Sequence, residues 1–459
     1  SQLQIVLKQT HYVPPYGKVE ITPIDFYHFS MFGLLIQSIQ PSFYLFVLEG
    51  THMLTGTSTA AAPTSLWKSK TFAIMLASSL LLSIGNKIYE IVLPLMMYEL
   101  THSSVSMATM RTAELLPNLL FAAMIGVIVD RVNKKKWVLG MIGSQALLLF
   151  LLVYLFKSGN GTLLLYYVLG FLLMTFNYGY FNAQVSLIKL TVPSHHLTSA
   201  NANFTLVETL VSVMGPALTG LVFLLADMSD GILITAVAYM LCFILFSQLR
   251  VHEIPKQETK LQFWKELQEG WVAFTANRLL VIISVFVIFL NCSMTVVSTT
   301  VIFFAKDDLH LSSSLLAIVL SISGIGGLVG SMAAGWLRKR VGLGLMFGIG
   351  AIANGLGYLG LYVCEGLLLL IISLFVIGFA ISMHTISVYT FRHEQTPVEL
   401  MGRISGITGT LFRLGMPFTM YVSGWMILWW GTSSIFLSAA VWNGIAFFLM
   451  ARTKIFQIA

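Results

Sequence analysis

The chain has 459 residues, 57% of them hydrophobic and only 10% charged, with a formal net charge of +7. Soluble domains carry about 25% charged residues, so a water-soluble globular protein is excluded. The apolar runs are continuous rather than alternating, which excludes a transmembrane β-barrel and leaves an all-α, polytopic membrane protein.

The excess of Lys and Arg falls between the apolar runs. It therefore reads as membrane topology and contact with anionic lipid, and no nucleic-acid partner is expected. The three cysteines, Cys242, Cys292 and Cys364, each lie in or at the end of an apolar run, without metal-ligand spacing. They read as small core residues, and no metal or cofactor is expected.

In chain order, residues 1–67 form an N-terminal extension. Pro14, Pro15 and Pro23 precede an apolar stretch from Phe26 to Leu48, interrupted by Gln37, Gln40 and Pro41. Two readings stand: a native start at Met53, or a further span over that stretch. From residue 68 onward, runs of membrane-crossing length are predicted at 71–98, 105–129, 137–157, 162–186, 200–226 and 230–249. After a polar connection they resume at 279–304, 312–337, 343–363, 366–390, 403–427 and 431–451. This predicts twelve transmembrane helices in two six-helix pseudo-repeats, 68–249 and 279–459, joined by a linker at 250–278. In the linker, Phe263, Trp264, Leu267, Trp271 and Phe274 fall near one helical face, as in an amphipathic helix lying at the membrane surface. Nearly all Lys and Arg outside the spans lie on one side, leaving Lys157 and Lys306 on the other. That asymmetry places both ends of the twelve-span core in the cytoplasm.

The loop after the second span carries Gly126, Asp130, Arg131, Lys134, Lys135 and Lys136. The Gly would let two helices approach, and Asp130 could cap the next helix while holding Arg131. The plainer alternative is a basic loop that only sets topology. A weaker copy without the Asp recurs at Gly335, Arg338, Lys339 and Arg340. Likewise, Pro193 followed by Gly215 and Pro216 is matched by Pro397 followed by Gly415 and Pro417. The many glycines from Gly324 to Gly360 read as close helix packing.

Charge inside a bilayer costs about 2.5–3.5 kcal/mol per residue on insertion scales, so each intramembrane charge is a functional candidate. These are Lys87 and Glu90 in the first span, Arg111 and Glu114 in the second, Glu208 in the fifth, His384 in the tenth and Arg413 near the middle of the eleventh. Glu90 and Glu114 fall at similar depth. Either they close structural ion pairs with Lys87 and Arg111, or one of them takes up and releases a proton as a cavity changes side, Glu90 first and Glu114 second. Glu208 has no local cation and is either a second proton site or a wetted carboxylate. Arg413 could meet an anionic group or an acid on another helix. His384 is either a packed, hydrogen-bonded residue or a proton carrier. Aromatic residues of the fourth span, with Asn177, Tyr180 and Asn182, would suit an amphiphilic substrate or simply pack.

Several motifs together carry a family resemblance. They are Leu93 and Pro94 near the end of the first span, Leu116 and Pro117 in the second, and the Gly126 to Lys136 loop. To these are added Gly215, Pro216 and Gly220 in the fifth span, and Thr396, Pro397, Gly402, Arg403 and Gly406 at the opening of the eleventh. Over residues 68–451 the chain resembles the major facilitator superfamily, and within it the drug:proton antiporter group that contains enterobactin exporters and macrolide efflux proteins. The group's fourth-helix Arg motif is missing, since Leu163 to Gln184 contains no Arg.

The resemblance implies that Gly126, Asp130, Arg131 and Lys135 belong to a conformational switch where the halves meet on the cytoplasmic side. Gly215 and Pro216 would kink the fifth helix, and Gly402 and Arg403 open the eleventh. No phosphate-binding loop, zinc-site motif or nucleophile elbow occurs, so an enzyme is not expected. The expected function is efflux of a small amphiphilic compound (drug, macrolide or siderophore) in exchange for protons, from a monomer in a bacterial cytoplasmic membrane. Its partners would be the substrate, protons and lipids, with the proton gradient as energy source. The alternative is an uncoupled facilitator or a narrow-specificity metabolite or siderophore exporter.

Overall fold

A computed structural model describes residue 66 and residues 69–458, apart from 194–195, 226–227, 250–259 and 398–399. The extension before residue 66, with Met53 and the Phe26 to Leu48 stretch, lies outside the described residues. Gly126, Asp130, Arg131, Pro216 and Gly402 lie within helices, but their surroundings are likewise outside what is described.

Every regular element among the described residues is helical. The first is α1, Lys70–Thr101. Ser69 caps it, its hydroxyl accepting from the Phe72 amide at 3.3 Å, and it ends where His102 turns left-handed at φ 48°. Next come α2, Ser104–Arg131, and α3, Lys134–Ser158. The cap of α3 is Asn133, whose side chain accepts from the Lys136 amide at 2.9 Å. Asp130, a possible cap by sequence, lies inside α2, which runs one residue past it. Then follow α4, Leu163–Thr191, α5, Leu197–Leu225, and α6, Met228–Ser247.

The linker helix α7, Lys260–Ala276, buries Gly270 and Phe274 and leaves Leu267 and Trp271 exposed. A Cβ on Gly270 would lie 2.9 Å from the Arg403 Cβ, so this residue is where α7 seats against the chain after residue 400. Beyond it lie α8, Arg278–Phe303, α9, Ser313–Tyr362, α10, Leu367–Gln395, α11, Met401–Leu411, and α12, Met416–Ala451.

Two of these elements cannot be single straight helices. With 50 residues, α9 would extend about 75 Å, against about 30 Å of bilayer hydrocarbon. It turns at Gly342, whose φ of 79° and ψ of 168° only a residue without Cβ adopts readily. α12 turns in the same way at Gly431, φ 75° and ψ 170°.

Eight described helical segments, the two long ones included, are apolar and long enough to cross a membrane. Their outward faces are apolar as well: Leu164, Leu368 and Phe448 are exposed. In water this would be an aggregation surface; in lipid it is the expected exterior.

Close backbone contact joins α9 to α10. A Cβ on Gly326 would strike the Phe375 carbonyl, and one on Gly378 would strike that of Ser323. The Ser382 hydroxyl donates to the Gly327 carbonyl at 2.8 Å. The predicted glycine packing is therefore present, and it brings the helix backbones together. Helices α1–α6 meet the later helices along two seams, α5 on α9 and α2 on α12.

Candidate functional site

A cavity of about 480 Å³ lies between these two sets of helices. Three helices build most of its wall with one spacing. α1 contributes Ser83, Asn86, Lys87 and Glu90; α2 contributes Arg111, Glu114, Leu115 and Asn118; α4 contributes Met174, Asn177, Tyr178 and Phe181. Each is an i, i+3, i+4, i+7 stripe, the face that a helix presents to one side. Glu208 and Val211 of α5, Thr295 of α8, and Arg413 and Met416 complete it.

Four charges in the wall form one chain. Lys87 Nζ lies 2.7 Å from Glu90 Oε2. The other Glu90 oxygen pairs with Arg111. Arg111 Nη1 lies 2.9 Å from Glu114 Oε2. Both oxygens of Glu90 are thus engaged, whereas Glu114 Oε1 is buried and has no hydrogen-bond partner among the described residues. The Glu114 side chain is 0% exposed, against 19% for Glu90. Arg111 holds the two carboxylates in one layer through the fork geometry that a lysine lacks.

Lys87 keeps its place because α5 offers it no side chain. A Cβ on Gly215 would lie 3.0 Å from Lys87 Cγ and 3.1 Å from its Cδ. Beside the ion chain, Asn86 is fixed by its oxygen, which accepts from the Tyr89 hydroxyl at 2.6 Å and from the Asn177 amide at 2.5 Å.

Arg413 is not in mid-helix, as the sequence suggested. It lies in a turn at 412–415, between the end of α11 and the start of α12. Pro417 explains the break: it supplies no amide and is placed in the first turn of α12. The carbonyl of Phe412 released by the break is satisfied by Asn291 Nδ2 at 3.2 Å. The Asn291 oxygen in turn accepts from His384 Nε2 at 3.2 Å. His384, buried and stacked near Phe347 with ring centroids 5.3 Å apart, stands behind the cavity wall. It supports the turn that carries Arg413.

Of the remaining expected cavity residues, Asn177 lines the cavity, while Tyr180 and Asn182 do not. Tyr180 is fully buried in the core, and Asn182 returns its amide to the Tyr178 carbonyl at 2.8 Å. Glu208, expected without a cation nearby, shares the cavity with Arg413. Ser83, Asn86 and Asn118 were missed, although each stands on a stripe with residues that the sequence had singled out, or one turn from them. Among the switch candidates, Lys135 Nζ donates to the Ser247 carbonyl at 2.9 Å, and Arg403 Nη1 lies 2.6 Å from Glu269 Oε2.

Where α1 ends and α2 begins, contacts tie both to the later helices. Tyr98 of α1 donates to Asp307 at 3.2 Å, and Glu99 pairs with Lys306 at 2.8 Å. The Ser104 hydroxyl donates to the Gly424 carbonyl at 3.0 Å. Asp307 and Lys306 lie on a short π-helical turn, Phe304–Asp308, that follows α8.

The sequence profile of the Major Facilitator Superfamily matches residues 75–418 and again 286–455. The chain belongs to the major facilitator superfamily. Its similarity to macrolide efflux protein A of Streptococcus pyogenes is 21% identity over 369 residues, covering 78% of this chain and 89% of that protein. To the MFS-type transporter YkuC of Bacillus subtilis (strain 168) it is 22% over 407 residues, covering 83% and 93%. Among solved structures, the nucleoside transporter NupG superposes with a TM-score of 0.66 at 16% identity, covering 84% of this chain and 99% of that one. A bacterial homolog of the human lysosomal transporter Spinster, in an inward-facing and unoccupied conformation, gives 0.63 at 13%, covering 85% and 98%. Family and fold are those of a multi-pass membrane transporter rather than an enzyme.

Proposed function

We propose that the protein is a secondary active exporter that moves a small amphiphilic compound outward in exchange for protons. Its working parts are two six-helix halves, 68–249 and 279–459, twelve spans in all, with the 250–278 linker and both ends of the core in the cytoplasm of a bacterium. With the basic loops inside, the Tyr98 to Asp307 and Glu99 to Lys306 contacts close the outer end, and the cavity opens inward. The halves then rock about it. No cofactor takes part, and the proton gradient supplies the energy.

The observation that carries this reading is the buried oxygen of Glu114, beside the Arg111 fork, that has no hydrogen-bond partner among the described residues. A proton sits on that atom. When it is present, Arg111 faces one ionised carboxylate, Glu90, and a neutral acceptor at Glu114; when it leaves, Arg111 is shared between two carboxylates. Proton occupancy thereby changes the tie between α1 and α2 at the level of the cavity. Glu114 takes the role first given to Glu90, because Glu90 has both oxygens engaged. The compound would be a drug, macrolide or siderophore-like molecule, in keeping with the similarity to macrolide efflux protein A.

The test is uptake of erythromycin, a catecholate siderophore and a lipophilic dye into inverted membrane vesicles. A gradient acid inside should drive uptake of at least one of them, and a protonophore should abolish it. Uptake of one that persists unchanged without the gradient would make the protein an uncoupled facilitator.

A further inference from the structure

On this transport reading, the cavity's charges also narrow the class of compound carried. Its lining holds three cations, Lys87, Arg111 and Arg413, and three carboxylates, Glu90, Glu114 and Glu208. Lys87, Glu90, Arg111 and Glu114 form the continuous ion chain, in which the charges cancel once Glu114 has released its proton. Two remain. Neither the Glu208 carboxylate nor the Arg413 guanidinium makes an ion pair or hydrogen bond among the described residues, with each other or with any third group. Glu208 comes from α5, before the linker, and Arg413 from the turn between α11 and α12, after it. The uncharged wall mixes apolar and aromatic residues, among them Leu115, Met174, Phe181 and Met416, with polar ones such as Asn86 and Asn118.

Such a cavity presents a dipole rather than a net charge. Both residues are exposed; a bound zwitterion pairs with both, whereas a simple cation pairs only with Glu208 and a simple anion only with Arg413. We infer that the cavity selects zwitterionic amphiphiles, with the cationic group on Glu208, the anionic group on the Arg413 fork, and the apolar body against the Leu115 to Phe181 wall. Because the two charges stand on different sets of helices, one bound zwitterion bridges both. The ion chain is left to the proton.

The test is equilibrium binding to the purified full chain in nanodiscs, with three fluorescent probes on one skeleton. Nε-dansyl-lysine is the zwitterion. Dansylcadaverine lacks its carboxylate and is a cation; 6-(dansylamino)hexanoate lacks its amine and is an anion. No gradient is applied, so failure of proton coupling and failure of the zwitterion site are read separately. The zwitterion should bind at least about tenfold more tightly than either relative, the effect of one charge-assisted contact. Arg413→Gln should reduce dansyl-lysine to the affinity of dansylcadaverine without weakening dansylcadaverine itself. Glu208→Gln should reduce it to the affinity of the anion. Arg413→Lys, which keeps the charge, should retain part of the preference. Equal binding of all three, tightest binding of a singly charged probe, or no binding by protein of unchanged helical content would each overturn the inference.

Discussion

Replacing Arg111 by Met keeps the aliphatic stem and removes the fork. Glu90 still has Lys87 at 2.7 Å. Glu114 is left with no partner on either oxygen, in a position with 0% side-chain exposure. Where Glu114 is ionised, removing one member of a buried pair costs about 3–5 kcal/mol, most of it the penalty of the charge left behind. Arg111 is itself only 10% exposed, so solvent screening recovers little of that. The double variant Arg111→Met with Glu114→Gln leaves no uncompensated charge. It should therefore recover at least about 2 kcal/mol of the loss, a coupling typical of directly bonded buried groups. Stability is measured by reversible unfolding in mixed micelles as the denaturing detergent fraction is raised, for wild type, both single variants and the double variant. If the double variant is no more stable than Arg111→Met alone, Glu114 does not depend on Arg111 and the ion chain has been misread.

Two other expectations follow from packing and from the broken helix. Gly378→Ala drives a methyl group into the Ser323 carbonyl and should cost about 1–3 kcal/mol, whereas Gly444→Ala, with nothing within 4 Å of the added carbon, should be neutral or slightly stabilising. The same unfolding measurement separates them, and equal effects would contradict the close approach of α9 and α10. Asn291→Leu leaves the Phe412 carbonyl and the His384 ring without their partner and should cost about 1–3 kcal/mol. It should also weaken binding of carboxylate-bearing probes through Arg413, without touching any ligand itself. Unchanged stability and binding would remove His384 and Asn291 from the support of that turn.

Much of this architecture was legible in the residues. Continuous apolar runs and the one-sided Lys and Arg marked where α1–α6 and the later helices lie, because bilayer thickness and charge cost act on sequence directly. The i, i+3 pairs Lys87 with Glu90 and Arg111 with Glu114 were legible for the same reason. What periodicity within one helix cannot show is the second partner: Arg111 reaches across to Glu90 on α1.

Asn86, Asn118 and Ser83 carry no charge and drew no notice, although extending the charged stripes by one turn in either direction would have found them. The turn at Arg413 was signalled by Pro417, but a proline inside a long apolar run is as compatible with a tolerated kink as with a break. Tyr180 shows the opposite error: a polar group on an apolar helix suggests a cavity residue, whereas it is buried away from the cavity, and His384 takes the packed, hydrogen-bonded alternative. The capping of α3 by Asn133 rather than Asp130 turned on a few residues of helix end, which sequence pattern does not fix.

The central claim is that Glu114 couples the proton to export, and the most direct measurement is proton movement in proteoliposomes with a pH-sensing dye in the lumen. A compound that the wild type transports should trigger proton flux opposite to its own movement. Glu114→Gln should abolish that flux and gradient-driven transport while still exchanging labelled for unlabelled compound across the membrane. Proton flux at the wild-type rate in Glu114→Gln would contradict the assignment, and transport by the wild type with no proton flux would contradict antiport itself.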